Sequence, residues 1–146
     1  MKKLICLSLV LLALLGSVTA CNFAQDMAGS LAENAESTPK VEEMMAALAE
    51  NRTSDAKALM HPQVIEESEA AIAQMSSYIA GRKVSSMELA GMNIRTSAST
   101  GGSKMEEQAA YHVTLEDGAV IYLSTVYLST NDGKGFISFQ LVLGIV

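Results

Sequence analysis

The spacing of apolar and polar residues changes once along the chain, close to residue 81. Before that point apolar residues recur three and four positions apart, as in Val41, Met44 and Leu48, which places them on one face of a helix. After it, apolar and polar residues alternate, as expected for strands with one face buried. Helices followed by strands predict an α+β fold, with the helices packed on a curved antiparallel sheet.

Three helices are predicted in the first part of the chain. The first follows Thr38-Pro39, where a capping residue precedes a proline that suits the first turn. A short second helix is expected over 55–60 and a longer third over 63–80, with His61-Pro62 between them because proline favours a helix start. The core face of the long helix is predicted to consist of Ile65, Ser68, Ala71, Ile72, Met75 and Ile79.

The first two strands are predicted over 84–96 and 105–115, joined by a loop over 97–103. Gly91 lies inside the first of them, where a glycine often marks a bulge that bends the strand. The second strand alternates regularly, which predicts one face toward the core and one toward water. Its core face is predicted to consist of Met105, Ala109, Tyr111, Val113 and Leu115, and its water face of Glu106, Gln108, His112 and Thr114.

Two more strands complete the predicted sheet of about four strands. Glu116-Asp117-Gly118 is a strong hairpin signal, and a third strand is expected over 119–129. The run over 136–146 is almost wholly apolar and too short to cross a membrane as a helix. It is interpreted as a central strand, buried on much of both faces. Together these elements predict one α+β domain over residues 39–146.

The N-terminus has a different pattern from the rest of the chain. Met1-Lys2-Lys3 is a short positive start, the run over 4–15 is apolar except for Ser8, and small residues follow up to Ala20. This is the three-part pattern of a secretory signal. The apolar run is shorter than the roughly 20 residues that span a bilayer. Residues 1–20 are therefore predicted to be removed as a signal peptide.

Val18-Thr19-Ala20-Cys21 resembles the lipobox of bacterial lipoproteins. The resemblance implies that the Cys21 thiol receives a diacylglycerol and that the signal is cut before it. It also implies a lipid-anchored protein of the cell membrane or outer membrane, facing the periplasm or the cell exterior. The alternative is an ordinary signal peptide cut nearby, which would leave a free thiol in an oxidising compartment. Residues 21–38 are polar and small, as expected for a flexible tether.

Composition limits what the exported domain can do. Removal of 20 residues from 146 leaves 126, enough for one domain, and the loss of Lys2 and Lys3 shifts the formal net charge from −6 to −8. An acidic domain with scattered basic residues is not expected to bind nucleic acid. Cys6 leaves with the signal, so the mature chain would keep one cysteine and could form neither a disulfide nor a zinc cluster. No cofactor is predicted.

The order of the elements resembles the cone fold of the ketosteroid-isomerase-like, or nuclear-transport-factor-like, superfamily, whose sheet is also described as cystatin-like. The residues that support the resemblance are the junction over 59–62, Gly81 and the three hairpin-linked strands. The resemblance implies an apolar pocket between a concave sheet and the helices. Members of the superfamily include isomerases and dehydratases as well as proteins that only bind ligands or partners.

His61 and Tyr111 are the candidate pocket residues. A histidine at this junction could act as a general base, contact a ligand or bind a metal weakly with Glu66. The simpler interpretation is a histidine that caps or packs locally. The isomerase branch combines an acid pair with a tyrosine, but the predicted inward face around Tyr111 has no aspartate, so no catalytic set is transferred.

The methionines are a second group of residues that could bind a ligand. They could line a soft apolar cavity or bind copper through their thioethers, although core filling is the simplest explanation. The leading hypothesis is a non-enzymatic module of the cell envelope that binds a partner protein or a small apolar ligand. The alternative is a small isomerase or dehydratase that uses His61 and a pocket tyrosine.

Overall fold

The computed structural model describes residues 34–143. Their elements are helices α1 (Ser37–Ala49), α2 (Thr53–Ala58) and α3 (Glu69–Ile79), a 3-10 helix (Pro62–Val64), and strands β1 (Val84–Ser99), β2 (Gly102–Leu115), β3 (Val120–Thr130) and β4 (Gly133–Leu143). The strands form one antiparallel sheet in the order β1-β2-β3-β4. The predicted α+β class, with three helices and four strands, is confirmed. Cys21, the predicted signal and most of the predicted tether lie outside the described residues.

The core lies between the helices and one face of the sheet. The alternation predicted for β2 is confirmed, since Ala109, Tyr111, Val113 and Leu115 are all buried, while Met105 is half-buried. The helices contribute a matching set of buried apolar side chains: Val41, Met44, Met45, Leu48, Ile72 and Ile79. Burying one such side chain contributes about 1.5–3 kcal/mol, so this shared layer is the main source of stability.

The long third helix was predicted to start too early. Pro62–Val64 forms a 3-10 turn, and α3 begins only at Glu69. Residues 65–68 form turns between the two elements, and the Ser68 hydroxyl donates to the carbonyl oxygen of Ile65 at 2.9 Å there. The other two helices, α1 and α2, begin one or two residues before their predicted starts.

The loop predicted over 97–103 is wrong. β1 and β2 pair as far as Ser99 and Gly102, so only Thr100 and Gly101 form the turn. This arm is exposed on both faces, and its serines and threonines therefore show no alternation that a sequence pattern could detect. The bulge expected at Gly91 is confirmed, because the register with β2 shifts between Leu89 and Gly91.

The prediction of a central, doubly buried last strand is also wrong. β4 is an edge strand that pairs only with β3 along its length. Val142 is 57% exposed and Leu143 is 50% exposed. Apolar residues on both faces suggested burial on both faces, but no element among residues 34–143 covers the outer face at this end.

The junction between α2 and the 3-10 helix is fixed to the start of β4. Met60 forms a parallel bridge with Phe136. The His61 N–H donates to the Phe136 carbonyl and the Phe136 N–H donates to the Leu59 carbonyl, both at 2.9 Å. Gly135 lies against this crossing, where a Cβ would come within 2.5 Å of the Met60 carbonyl carbon. The chain therefore approaches itself here as closely as a glycine allows.

Candidate ligand-binding groove

His61 occupies the start of the 3-10 helix and is only 2% exposed. Its Nδ1 accepts a hydrogen bond from the Gln63 backbone N–H at 3.3 Å, which leaves the ring proton on Nε2. Nε2 lies 3.2 Å from the Thr130 hydroxyl, which donates in turn to the Gly133 carbonyl. Both ring nitrogens are therefore used inside the fold. His61 caps and packs locally, which was the simpler of its two predicted roles.

Tyr111 lies in the core with 3% of its surface exposed. Burial raises the pKa of its phenol, and the nearby Thr38 side chain opposes part of that rise. Within residues 34–143, no group forms a hydrogen bond of standard geometry with the Tyr111 hydroxyl. The side chain faces the packed interior below the start of α1, so it is not available at a pocket mouth.

Glu107 is a buried carboxylate that the sequence patterns did not single out. It is 1% exposed, and its two oxygens accept hydrogen bonds from the backbone N–H groups of Glu36 (3.1 Å) and Ser37 (2.8 Å). These N–H groups start α1 and have no partner within the helix, and the helix dipole favours a negative charge there. The available signal was a charged residue at an inward position of β2, between Met105 and Ala109.

A second carboxylate joins α1 to the far end of the sheet. The Glu36 side chain binds Lys134 Nζ at 2.8 Å and accepts from the Ser129 hydroxyl at 3.2 Å. The bond from Lys134 is the main reason that the pKa of Glu36 lies below its usual value. Both partners are largely exposed, so this pair positions the helix more than it stabilises the fold.

The structure does not bring the predicted site residues together. Neither His61 nor Tyr111 lines the main groove described below. Glu66, the suggested metal partner of His61, is exposed, and residues 34–143 contain no group of three or more His, Cys, Asp or Glu side chains placed to hold a metal ion. His112 is exposed, as expected, and packs edge-to-face on Tyr122 with ring centroids 4.9 Å apart.

An open groove runs between the C-terminal half of α1 and the start of β1. We call it the α1–β1 groove. Its volume is about 680 Å³, within the range of small-molecule sites in proteins. Its apolar lining consists of Met45, Ala46, Ala49, Val84 and Met87. The small alanines of α1 leave the space, because a larger side chain at either position would close it.

Polar groups lie around the rim of the α1–β1 groove. Glu42 and Lys83 stand on it with opposite charges, and Arg82 forms its end. Arg82 is held from two sides, since its Nε donates to Asp117 at 2.9 Å and its guanidinium lies 4.9 Å from the centre of the Tyr78 ring. The Ala119 backbone N–H, and then Arg82, keep the pKa of Asp117 below its usual value. The rim is thus fixed in shape and carries little net charge.

The methionines divide between these environments. Met44, Met45 and Met60 are buried in the core, as the simplest explanation predicted, whereas Met75, Met87 and Met92 are half-buried. Met87 lines the α1–β1 groove and Met75 lines a second recess, where their flexible thioethers can adapt to a bound molecule.

The fold and the groove define an α+β domain in which helices cover one face of a meander and leave a recess beside its first strand. No protein-family model matches the chain, and neither the curated proteins nor the solved structures gave a match. Between residues 34 and 143, no helix has both the length and the apolar character needed to cross a bilayer.

Proposed function

We propose that this chain is an exported bacterial lipoprotein, anchored through Cys21, whose domain binds a small and mainly apolar ligand in the α1–β1 groove. The observation that supports binding most directly is the groove itself, whose lining combines apolar residues from two elements with a small number of polar and charged ones. The signal pattern over residues 1–20 and the lipobox support the anchor.

We further propose that the domain is cone-like in architecture. The arrangement of three helices on one face of a four-stranded meander supports this assignment. Register shifts in β1 around Gly91 and in the β3–β4 pair near Val126 support it too, because bulges bend a sheet toward the layer it covers. A cone-like sheet would enclose ligands from the helical side, which is where the α1–β1 groove opens.

Filling the groove should abolish ligand binding without harming the fold. Ala46 is exposed on α1 and lines the groove, so Ala46→Trp would place an indole in the recess. The matched control is Ala73→Trp, an equally exposed alanine on α3 that does not line the groove. Titration of residues 22–146, exported with a signal that adds no lipid, with a fluorescent long-chain fatty-acid analogue reports the affinity.

We expect saturable binding to the unsubstituted chain and to the Ala73→Trp variant. In Ala46→Trp the affinity should fall at least about tenfold, which corresponds to roughly 1.4 kcal/mol. Equal affinities for the two tryptophan variants, with both folded by circular dichroism, would place any binding outside this groove. If the unsubstituted chain shows no saturable binding, the proposal that the groove binds apolar ligands of this kind is wrong.

The anchor is tested separately, by Cys21→Ser in cells. Without the thiol no diacylglycerol can be attached, so the protein should lose incorporation of labelled palmitate and leave the washed membrane fraction. Mass spectrometry of the product identifies molecules that have lost residues 1–20. If such correctly cut molecules remain with the membrane as firmly as the unsubstituted protein, lipid attachment at Cys21 is wrong.

A further inference from the structure

The free edge of β4 has no charged residue after Lys134. Phe136 is already covered, because its N–H and carbonyl bind the Leu59–His61 segment. After a bulge at Ile137, where the register with β3 shifts, the strand from Ser138 to Leu143 pairs regularly with β3 on one side and has no partner strand among residues 34–143 on the other. This segment contains no charged residue and no proline. Charges, prolines and bulges are the usual means by which edge strands avoid pairing with other chains.

The opposite edge of the sheet is protected. β1 carries Glu88 and Arg95, and its register with β2 breaks twice, between Val84 and Ser86 and between Leu89 and Gly91. Charged side chains and bulges both oppose the addition of a further strand. The two edges therefore differ: β1 carries charges and two breaks of register, whereas β4 is uncharged and regular from Ser138 to Leu143 and can accept a strand there.

Large exposed apolar side chains gather around the same end of β4. Those that the described surface exposes most are Tyr78, Val120, Tyr122, Val142 and Leu143. Val142 and Leu143 lie on β4, opposite Tyr122 and Ile121 of β3. Tyr78 of α3 reaches the same place from the helical side, where it lines a second recess of about 410 Å³ with Val142 and Leu143. Clustered exposed apolar groups of this kind mark interaction surfaces.

We propose that the free edge of β4 pairs antiparallel with the β4 of a second copy of this chain, so that two sheets join into one of eight strands. The partner must offer an uncharged edge strand flanked by apolar side chains, and this chain itself presents one. A two-fold axis makes the contact self-complementary and closed. Pairing of β4 with β1 would instead build an open filament, and the charges and bulges of β1 oppose it.

The register follows from the length of the free segment. Residues 138–142 follow the bulge and have Gln140 at their centre, so a two-fold axis there pairs Gln140 with Gln140 and uses these five residues of each strand. Val142 then lies beside the partner's Ser138 on the outer face of the sheet. Leu141 lies beside the partner's Phe139 on the helical face, because side chains separated by an even number of positions share a face. In this pairing the partner's β4 also covers the recess beside Tyr78.

Disulfide trapping in membranes tests this pairing on the intact lipidated protein. Residues opposite each other in an antiparallel pair have Cα atoms about 4.5–5.5 Å apart, within disulfide range. Gln140→Cys should therefore give a covalent dimer of twice the chain mass upon mild oxidation. Asn93→Cys, at an exposed position of the protected edge β1, is the matched control and should stay monomeric.

A second experiment places a charged side chain at the proposed two-fold axis. Gln140→Lys would place two ammonium groups opposite each other, which destabilises a strand pair. Sedimentation in mild detergent should show a dimer for the unsubstituted protein and for Asn93→Lys, and a monomer for Gln140→Lys. A monomeric unsubstituted protein, an unchanged Gln140→Lys dimer, or efficient Asn93→Cys crosslinking would each overturn the proposal. Crosslinking of Gln140→Cys only to a different protein would do so as well.

Discussion

Replacing Glu107 with alanine should destabilise the domain by about 3–5 kcal/mol, the cost seen when one partner of a buried charged contact is removed. The carboxylate is buried and binds two backbone N–H groups at the start of α1. Alanine would leave the buried Ser37 N–H without an acceptor, at about 1–3 kcal/mol, and would remove the acceptor of the part-buried Glu36 N–H as well. The empty volume of the lost side chain adds to the effect.

Urea unfolding followed by circular dichroism measures this loss. Glu107→Gln keeps one acceptor oxygen and should lie between the alanine variant and the unsubstituted protein. Glu106→Ala is the matched control, because the neighbouring carboxylate faces the other side of β2 and bonds only to the side chains of Gln108 and Lys104. It should cost no more than about 0.5–1 kcal/mol. Equal losses for the two alanine variants would contradict the capping role of Glu107.

Gly135→Ala is the second substitution with a large expected effect. A Cβ at this position would lie 2.5 Å from the Met60 carbonyl carbon and 2.7 Å from His61 Cα. Both are backbone atoms held by the hydrogen bonds between Phe136 and the 59–61 segment, so neither can yield without breaking the crossing. We expect a loss of about 2–3 kcal/mol, typical of severe overpacking.

Gly91→Ala is its control within the same sheet. A Cβ there has no atom within 4 Å, so the change should be neutral or slightly stabilising. Amide hydrogen exchange locates the damage, since Gly135→Ala should speed exchange at His61 and Phe136 before it affects β2. Stabilities of the two alanine variants that agree within error would show that the close approach at Gly135 is not needed.

Local patterns predicted those parts of the fold that depend on neighbours in sequence. The alternation in β2, the bulge at Gly91 and the hairpin after Leu115 each rest on a few adjacent residues, and the structure agrees with all three. The class of the fold followed from the order of the two periodicities. These features are local because backbone preference and side-chain period are themselves local.

The features that sequence patterns missed depend on contacts between distant residues. Glu107 acts on a helix start 70 positions away, and nothing near it in the sequence marks that role. The α1–β1 groove is lined by two segments, residues 42–50 and 81–87, and the way in which they pack against each other cannot be read from either segment alone. The edge position of β4 was missed for a related reason, since an apolar strand has the same pattern whether its faces are covered by its own chain or by another.

The way in which α1 starts has a mechanical consequence. At the start of α1 the backbone N–H groups of Glu36 and Ser37 are bound to β2 through Glu107, and the Glu36 side chain is bound to the β3–β4 hairpin through Lys134. A pull on the N-terminal segment would therefore act on the sheet directly and would have to shear these bonds together before α1 could unwind. The start of α1 would therefore resist a pulling force through several bonds loaded in parallel.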